Sequence, residues 1–385
     1  MTYEYSMLAP VMFGIGASEK TGEKLKELGC KRALCICDEG IKKAGVLDKV
    51  VSILKDSGID SLVFDKVLPD PPDTMLDEVG ALVRECGADC VVGIGGGSSL
   101  DTAKVASILQ KNPGSIDDYL NFDGPPSFVS GGIPVVLLPT TAGTGSEISP
   151  IVVVSHVEKN MKMVIFTSVT LAIVDPELCR TSPASVTANG GLDALAHAAE
   201  AITAKNRNPF TETLGLKAIK LIANNLAAAC KDGNDMEARS NLSLASNFSG
   251  IAFPLADVHV GHAAADSISA SYHTPHGLNC AWTTPAVMEI CAETASDKVK
   301  LIGEAMGIAF NGNETTSEIG KLTADKIRQL MKECGVPSPS EFGIDRATLL
   351  SGAPYVIGSG ISQNCPTEIN EQSAGQLLAL IYDSY

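Results

Sequence analysis

The sequence predicts an α/β domain built on a parallel sheet, followed by an all-α domain. In residues 1–183, short apolar runs rich in Val, Ile and Leu alternate with stretches of helical periodicity, which is typical of a parallel sheet with connecting helices. From residue 184 onward such runs are absent, and Ala-rich amphipathic stretches separated by Gly and Pro predict helices alone. A length of 385 residues also favours two domains over one core. We therefore predict domains at 1–183 and 184–385.

The apolar runs of the first half predict its strands. These runs are 33–38, 61–64, 90–94, 133–138, and a hairpin from 150–155 to 162–166. The run 90–94, Cys-Val-Val-Gly-Ile, predicts a strand that is buried on both faces. Between the strands, residues 40–57 have the periodicity of one helix, and a second helix is expected to end near residue 87.

Composition excludes several classes of function. A net charge of −16 and a pI near 4.8 argue against binding to nucleic acid or to an anionic membrane surface. No apolar run is long enough to span a membrane, and the N-terminus lacks the pattern of a signal peptide, so we expect a cytoplasmic location. The eleven cysteines are an odd number in a long chain without a Cys-x-x-Cys pair. We interpret them as reduced thiols.

A glycine-rich turn is the first candidate binding site. The sequence Gly-Gly-Gly-Ser-Ser at 95–99 follows a predicted strand and opens a predicted helix. Glycines let the backbone approach a ligand, and free amides at a helix N-terminus favour a diphosphate. A tight turn without a ligand would have the same composition, and the sequence matches neither the six-residue dinucleotide fingerprint nor the phosphate loop. We interpret it as part of a Rossmann-like, nucleotide-binding domain.

Two further features agree with a nucleotide site. The segment Pro-Thr-Thr-Ala-Gly-Thr-Gly-Ser-Glu at 139–147 follows another predicted strand with a dense set of hydroxyls and glycines, as expected for a second wall around a polyanion. Asp38 ends the first predicted strand, where an acid would bind the ribose 2′-hydroxyl and repel a 2′-phosphate. This position favours NAD over NADP. The alternative is that Asp38 only caps the helix that follows.

The second half carries a candidate metal site. Asp193 and His197 lie four residues apart in a predicted helix, so their side chains share one face. Four of the six histidines follow within a short stretch, at positions 259, 262, 273 and 276. A carboxylate with imidazoles suits Fe²⁺ or Zn²⁺ better than Ca²⁺ or Mg²⁺. The spacing leaves open which two of these four histidines are ligands, and an Asp–His pair on one helix face can also be an ordinary hydrogen-bonding pair.

Taken together, five motifs resemble the iron-containing (group III) alcohol dehydrogenase family. They are collinear and lie at 95–104, 139–147, 175–178, 191–197 and 274–277. By position, the resemblance implies that the metal ligands are Asp193, His197, His262 and His276, which leaves His259 and His273 outside the ligand set. It implies Fe²⁺, with Zn²⁺ as the alternative.

The resemblance also implies a set of residues around bound NAD(H). They are Asp38, Gly95, Gly96, Gly97, Ser98, Thr140, Thr141, Thr144 and Lys162. For Lys162, the alternative is a solvated lysine on the predicted hairpin.

One departure from the family pattern concerns catalysis. The family commonly has a second histidine four residues after the ligand at 262, and here that residue is Asp266. Asp266 or His273 could therefore serve as a catalytic proton relay. The alternative is that Asp266 only forms a hydrogen bond to a neighbouring imidazole.

These observations predict a metal-dependent NAD(H) oxidoreductase that interconverts a short primary alcohol and its aldehyde, with aldehyde reduction as the direction that the family favours. One alternative is a reductase of a polar or anionic aldehyde, such as a hydroxy-acid semialdehyde or a sulfonated aldehyde. It needs a cationic anchor, and residues 259–280 contain no Lys or Arg, although Lys205 or Arg207 could supply one. A second alternative is an inactive homologue that binds nucleotide and metal. The resemblance further implies a homodimer or larger homo-oligomer.

Overall fold

A computed structural model describes Tyr5, residues 9–159 and residues 161–385 of the chain. The described residues form two compact units. The first comprises residues 9–141 and 145–181, and the second comprises Tyr5, residues 142–144 and residues 182–385.

The first unit is built on a parallel sheet. Its described strands are β1 (Val11–Phe13), β2 (Arg32–Ile36), β3 (Asp60–Phe64), β4 (Cys90–Gly95), β5 (Ser127–Phe128), β6 (Val135–Pro139), β7 (Ile151–His156), β8 (Met161–Phe166) and β9 (Leu171–Val174). Six of them form one sheet in the order β1-β9-β6-β4-β2-β3, and all of its pairings are parallel. The strands β7 and β8 form the predicted antiparallel hairpin, and β5 joins β8. The predicted α/β class is confirmed.

Five α-helices connect these strands. They are α1 (Thr21–Glu27), α2 (Glu39–Lys43), α3 (Val46–Asp56), α4 (Asp73–Glu85) and α5 (Gly97–Lys111). The prediction of a single helix over residues 40–57 is wrong, because Gly45 has a φ of +76° and separates α2 from α3. A left-handed residue cannot continue a right-handed helix, and glycine adopts this conformation without a steric penalty.

The centre of the sheet is an apolar core. Every residue of β4 and β6 is buried, as expected for strands covered on both faces. Val92, Ile94 and Leu138 pack with Val50 and Leu54 of α3 in one cluster. Each such side chain contributes about 1.5–3 kcal/mol when it leaves water. This packing fixes the strands, and therefore the positions of the loops at their carboxyl ends.

The second unit is entirely helical across residues 182–385. Its helices are α6 (Ala184–Thr203), α7 (Pro209–Lys231), α8 (Met236–Ala256), α9 (Val260–Tyr272), α10 (His276–Ala305), α11 (Thr316–Glu333), α12 (Arg346–Ser351), α13 (Ala353–Gly358) and α14 (Glu371–Asp383). Nearly all of α6 from Gly191 onward is buried, and its small alanine side chains allow α7, α8 and α10 to approach closely. The predicted all-α architecture is confirmed.

Two further observations concern the chain as a whole. Among the described residues, no helix has the length and the apolar character needed to cross a membrane. All eleven cysteines are free thiols, which agrees with their interpretation as reduced residues. Burial raises the pKa of Cys37 to about 12, so this thiol stays protonated in the core.

Asp175 links the start and the end of the first unit. It follows β9, and its buried carboxylate accepts hydrogen bonds from the backbone N–H groups of Gly16, Ser18 and Glu177. The Ser18 hydroxyl donates a fourth, at 2.6 Å. The motif at 175–178 therefore has a structural role, because one side chain caps two short 3₁₀ helices that are distant in sequence.

We expect Asp175→Asn to lower the free energy of unfolding by about 1–3 kcal/mol. The carboxylate accepts hydrogen bonds from backbone N–H groups through both oxygens, and an amide would place its own N–H donors against some of these groups. Urea unfolding followed by circular dichroism measures the change. Glu177→Gln, a substitution at a partly exposed neighbour, is the matched control and should stay within about 0.5 kcal/mol of the wild type. Equal unfolding midpoints for the two variants would contradict the capping role.

Candidate metal and nucleotide sites

The four predicted metal ligands lie together within the second unit. Asp193 and His197 stand one turn apart on α6, His262 lies in the first turn of α9, and His276 is the first residue of α10. The Asp193 Oδ1 atom is 3.9 Å from His197 Nδ1 and 3.7 Å from His276 Nε2. The His262 ring centroid lies 4.7 Å from that of His197 and 5.6 Å from that of His276. Three helices therefore bring one carboxylate and three imidazoles close together. The donor atoms that lie within 4.8 Å of one another belong to Asp193, His262, His276 and Cys280, and His197 lies beside this group.

The donor atoms of this set suit a cation. Asp193 Oδ1, His197 Nδ1 and His262 Nε2 are buried, and none of them has a hydrogen-bond partner among the described residues. A buried polar atom without a partner costs about 1–3 kcal/mol, so three of them at one point would be strongly destabilising without a ligand. Oxygen and imidazole nitrogen donors fit Fe²⁺ or Zn²⁺. These residues therefore fit the metal that the sequence predicts.

Glu200 orients the His262 imidazole. Its buried carboxylate accepts hydrogen bonds from the backbone N–H groups of His259 and His262, and lies 3.1 Å from His262 Nδ1. Because a carboxylate only accepts, Nδ1 carries the proton and Nε2 presents its lone pair to the ligand set. This carboxylate–imidazole arrangement is the usual support of a metal-bound histidine.

Glycine at position 261 makes this contact possible. A Cβ atom at Gly261 would lie 2.0 Å from Glu200 Oε1 and 2.8 Å from a methyl group of Val287. Any larger residue would push the carboxylate away from His262.

The protonation states of His197 and Glu200 favour metal binding, whereas at His262 burial is outweighed by Glu200, which raises the pKa of that imidazole. Burial lowers the pKa of His197 to about 4, although Asp193 opposes this, so the imidazole is neutral at pH 7. Burial also disfavours the charged form of Glu200, but the neighbouring His259 and His262 outweigh it and lower the pKa of Glu200 to about 2. A neutral imidazole and an ionised supporting carboxylate are the forms that a bound cation requires.

Two neighbours of the ligand set, Glu200 and Cys280, were not predicted from the sequence. Glu200 lies three residues after His197 and so continues the stripe that Asp193 and His197 form on α6. Cys280 follows His276 by four residues, and its Sγ atom is 3.5 Å from His276 Nε2. Burial, together with the charge of Asp193, raises the pKa of Cys280 well above its ordinary value, so it remains a thiol. Helical spacing from a candidate ligand was the available signal for both residues.

The two candidate relay residues differ in position. Asp266 is partly buried on α9, and its Oδ1 atom lies 3.9 Å from His276 Nδ1, beyond hydrogen-bond distance. His273 is exposed and ends α9 in the left-handed conformation, with a φ of 51°. Asp266 therefore borders the ligand set, and both catalytic roles stay predictions.

The nucleotide residues of the first unit meet at the carboxyl edge of the sheet. Gly95 on β4 pairs with Pro139 on β6, so the glycine-rich turn and the segment after β6 run side by side. The Thr140 backbone N–H donates to the Gly95 carbonyl at 3.0 Å, and Thr141 Oγ1 is 3.3 Å from where a Cβ of Gly96 would lie. In parallel sheets, ligands bind at this edge.

The glycine-rich turn has the features of a phosphate-binding turn. Gly95 has a φ of +150°, and a Cβ there would lie 2.6 Å from the Ser99 side chain. Gly96 precedes the first turn of α5, which contains Gly97 and Ser98. The Ser99 hydroxyl oxygen is buried and has no hydrogen-bond partner in the described part of the chain. Close backbone approach and an unsatisfied polar atom at a helix N-terminus both fit a diphosphate.

Asp38 lies beside this turn. Its Oδ2 atom is 3.6 Å from the Cβ position of Gly95, while its Oδ1 accepts a hydrogen bond from the Ile41 backbone N–H. One oxygen of Asp38 therefore caps the following helix, as the alternative predicted, and the other lies near the glycine-rich turn. The nucleotide role of Asp38 stays a prediction.

Lys162 and Thr144 are placed differently from the rest of the predicted set. Lys162 lies on β8, where its Nζ atom forms an ion pair with Asp70 at 3.2 Å. Thr144 belongs to the second unit. Their cofactor roles stay predictions.

A buried lysine, which the sequence analysis also missed, joins the two loops. Lys104 on α5 is fully buried and donates to Asp101 Oδ1, to the Ser146 hydroxyl at 2.9 Å and to the Ile151 carbonyl at 2.7 Å. Burial lowers its pKa, although Asp101 opposes the change. Three acceptors match the three donors of an ammonium group. The helix after the glycine-rich turn is thereby tied to the segment that follows β6.

Glu200→Gln should weaken metal binding by about 10- to 100-fold, as is typical when the outer partner of a metal-bound histidine loses its charge. Titration of metal-free protein with Zn²⁺ or Fe²⁺ under anaerobic conditions measures the affinity. Glu304→Gln, at an exposed position of α10, is the matched control and should bind like the wild type. Wild-type affinity in Glu200→Gln would show that the carboxylate does not support the site.

Comparisons with known proteins agree with this geometry. A family model described as iron-containing alcohol dehydrogenase matches residues 9–176, and one described as Fe-containing alcohol dehydrogenase family, C-terminal, matches residues 187–382. The chain is 35% identical over 337 residues to choline dehydrogenase of Bacillus subtilis, covering 87% of this chain and 84% of that protein. It is 31% identical over 371 residues to the NAD-dependent methanol dehydrogenase of Bacillus methanolicus, covering 95% and 96%.

A solved structure extends the likeness to the fold. The crystal structure of a 1,3-propanediol oxidoreductase superimposes with a TM-score of 0.92 at 31% identity, covering 99% of this chain and 100% of that one. The two family models together match most of both units, at residues 9–176 and 187–382. The chain belongs to the iron-containing alcohol dehydrogenase family.

Proposed function

We propose that this member of the family uses NAD(H) and a divalent metal, Fe²⁺ in preference to Zn²⁺, to interconvert a short primary alcohol and its aldehyde. The observation that carries the proposal is the proximity of Asp193, His197, His262 and His276. Among the described residues, the buried donor atoms of Asp193, His197 and His262 have no other hydrogen-bond partner. Aldehyde reduction is the direction that we propose, in keeping with the sequence-based expectation.

The chain contributes a preformed set of ligands. When bound, the metal acts as a Lewis acid that lowers the pKa of an alcohol or polarises an aldehyde carbonyl. The four ligand side chains would hold it, and Glu200 would keep the proton of His262 on Nδ1. His197 stays neutral because its pKa is about 4. The Cys280 thiol lies beside Asp193 and His276 as a further neighbour of this set.

The first unit would hold the dinucleotide. NAD(H) supplies the hydride chemistry, while the protein binds and orients it. The N-terminus of α5 would receive the diphosphate, and Asp38 Oδ2 would accept a hydrogen bond from the ribose 2′-hydroxyl. The similar protein of Bacillus methanolicus is an NAD-dependent methanol dehydrogenase, which supports the choice of NAD over NADP.

Proton transfer needs a group near the substrate oxygen. Asp266 is our first candidate, because it is partly buried beside His276 and can exchange protons with solvent. His273 is the second candidate, and its exposure at the end of α9 would let it act as a solvent-side acceptor.

The alternative substrates receive less support. Lys205 Nζ donates to the Gln363 carbonyl at 2.8 Å, and Arg207 donates to the Ala204 carbonyl at 3.0 Å, so both candidate anchors for an anionic aldehyde are already engaged. An inactive homologue would not need to retain all four ligand positions. We therefore place neutral aldehydes first. A homo-oligomeric assembly and a cytoplasmic location remain predictions from the sequence.

The test is turnover with a defined metal. Protein purified anaerobically is stripped of metal, reloaded with Fe²⁺ or Zn²⁺, and assayed for NADH oxidation with neutral and anionic C2–C4 aldehydes. We expect metal-dependent turnover with a neutral aldehyde, and we expect His262→Ala to lower it by more than about 100-fold, beyond the loss typical of outer-shell substitutions. Metal-depleted wild type is the control. Stoichiometric metal without turnover on any aldehyde would contradict the proposal, and Asp266→His would then be assayed to locate the defect.

The cofactor preference has its own test. Asp38→Asn keeps a side-chain acceptor for the Ile41 N–H, since Asn caps helices as well as Asp does, but it removes the negative charge. We expect kcat/KM for NADPH to rise about tenfold relative to NADH, because charge repulsion of the 2′-phosphate is relieved. Glu39→Gln, the exposed next residue, is the control. A wild-type preference for NADPH would overturn the assignment.

A further inference from the structure

A second group of possible metal donors lies in the helical unit, separate from the four ligands already described. It consists of His259 at the N-terminus of α9, Cys291 in the middle of α10, and Cys365, which follows the 3₁₀ turn Gly360–Asn364. All three residues are completely buried. One donor atom from each lies within 4.8 Å of the other two. We call these residues the His–Cys–Cys cluster.

The distance between the two sulfur atoms suits a shared metal ion. Cys291 Sγ and Cys365 Sγ are 3.9 Å apart. Two thiolates bound to one tetrahedral ion at the usual bond length of about 2.3 Å lie about 3.8 Å apart, whereas a disulfide brings them to about 2.05 Å. Soft thiolate donors together with imidazole select thiophilic ions, chiefly Zn²⁺ and Cu⁺.

The imidazole is oriented with a bare nitrogen inside the core. The Thr203 hydroxyl donates to the Ala199 carbonyl at 2.8 Å, so its oxygen accepts a hydrogen bond from His259 Nε2 at 2.9 Å. Nε2 therefore carries a proton, which leaves Nδ1 as the nitrogen that can bind an ion. Nδ1 is buried without a hydrogen-bond partner among the described residues, and Glu200 Oε1 lies 3.9 Å away. A buried nitrogen beside a carboxylate is costly unless a cation, either a proton or a metal ion, satisfies both.

The charges agree with a cation at this point. When a divalent ion binds, it would displace the thiol protons of Cys291 and Cys365. Two thiolates and a neutral imidazole would then neutralise the ion, which removes the cost of placing its charge in a completely buried position.

We propose that His259, Cys291 and Cys365 bind a thiophilic metal ion, Zn²⁺ or Cu⁺, at a structural site distinct from the site of Asp193, His197, His262 and His276. The ion would join the start of α9, the middle of α10 and the segment before α14. It would also fix His259, whose backbone N–H donates to Glu200. The proposal does not depend on the catalytic reaction.

The first test is metal content. Holoprotein, the Cys291→Ala/Cys365→Ala variant and His262→Ala are loaded anaerobically and analysed for Zn, Cu and Fe by mass spectrometry. We expect about two metal ions per chain in the wild type and about one in each variant, because each substitution empties a different site. The control is Cys230→Ala/Cys334→Ala, which alters another pair of neighbouring thiols in the same unit and should leave the metal content unchanged. Unchanged metal content in Cys291→Ala/Cys365→Ala would overturn the proposal.

A second test needs no change in the cluster, in case the cysteine variants fail to fold. His262→Ala/Cys280→Ala removes a ligand and the only thiol named beside the first site. X-ray absorption of this protein loaded with Zn²⁺ should show sulfur neighbours at about 2.3 Å. Absence of sulfur neighbours, or a purified protein whose mass and peptides show a Cys291–Cys365 disulfide, would overturn the proposal. Loss of one metal ion in His262→Ala concerns only the proposed catalytic site. The proposed function and the proposed metal site of the His–Cys–Cys cluster can therefore be contradicted independently.

Discussion

The buried carboxylate of Glu200 is the constraint on which the helical unit depends. It accepts hydrogen bonds from the backbone N–H groups of His259 and His262, and therefore caps the first turn of α9. It also sets the tautomer of the His262 imidazole. A buried charge persists only when it is well paired. Burial disfavours the charged form of Glu200, but the neighbouring His259 and His262 lower the pKa of its carboxyl group. The Glu200 side chain on α6 therefore fixes both the start of α9 and the orientation of the His262 imidazole. Gly261 is the structural condition for this arrangement.

The first unit positions its candidate ligand groups in a different way. Its candidate ligand groups are backbone amides and hydroxyls that follow β4 and β6, and the pairing of these two strands brings them together. Their positions come from a sheet core in which β4 and β6 are buried on both faces. Chemistry in the helical unit therefore depends on side chains of three helices, whereas recognition in the sheet unit depends mainly on where strands end.

Much of the architecture could be predicted from sequence because long apolar runs determine central strands. The strands β1, β5 and β9 were missed because runs of two to four residues carry little periodicity. The break at Gly45 was missed because glycine is also tolerated within helices. The four ligand positions followed from motifs, and the geometry brings them together. Glu200 and Lys104 were not recognised because such residues are usually exposed. Cys365 lies far from His259 in the chain, and only folding reveals that the two are neighbours.

The buried ammonium of Lys104 has a consequence for how the loops meet a ligand. It holds Asp101 and Ser146 through bonds of 3.1 and 2.9 Å, well inside the protein. The Asp101 carboxylate also accepts the Val153 backbone N–H on β7. Because these contacts already hold the glycine-rich turn and the segment after β6 in place, the conformational entropy of ordering them is lost when the chain folds and not when a ligand binds. Affinity for any diphosphate at this edge is then set by contacts at the surface of the loops and not by their rearrangement.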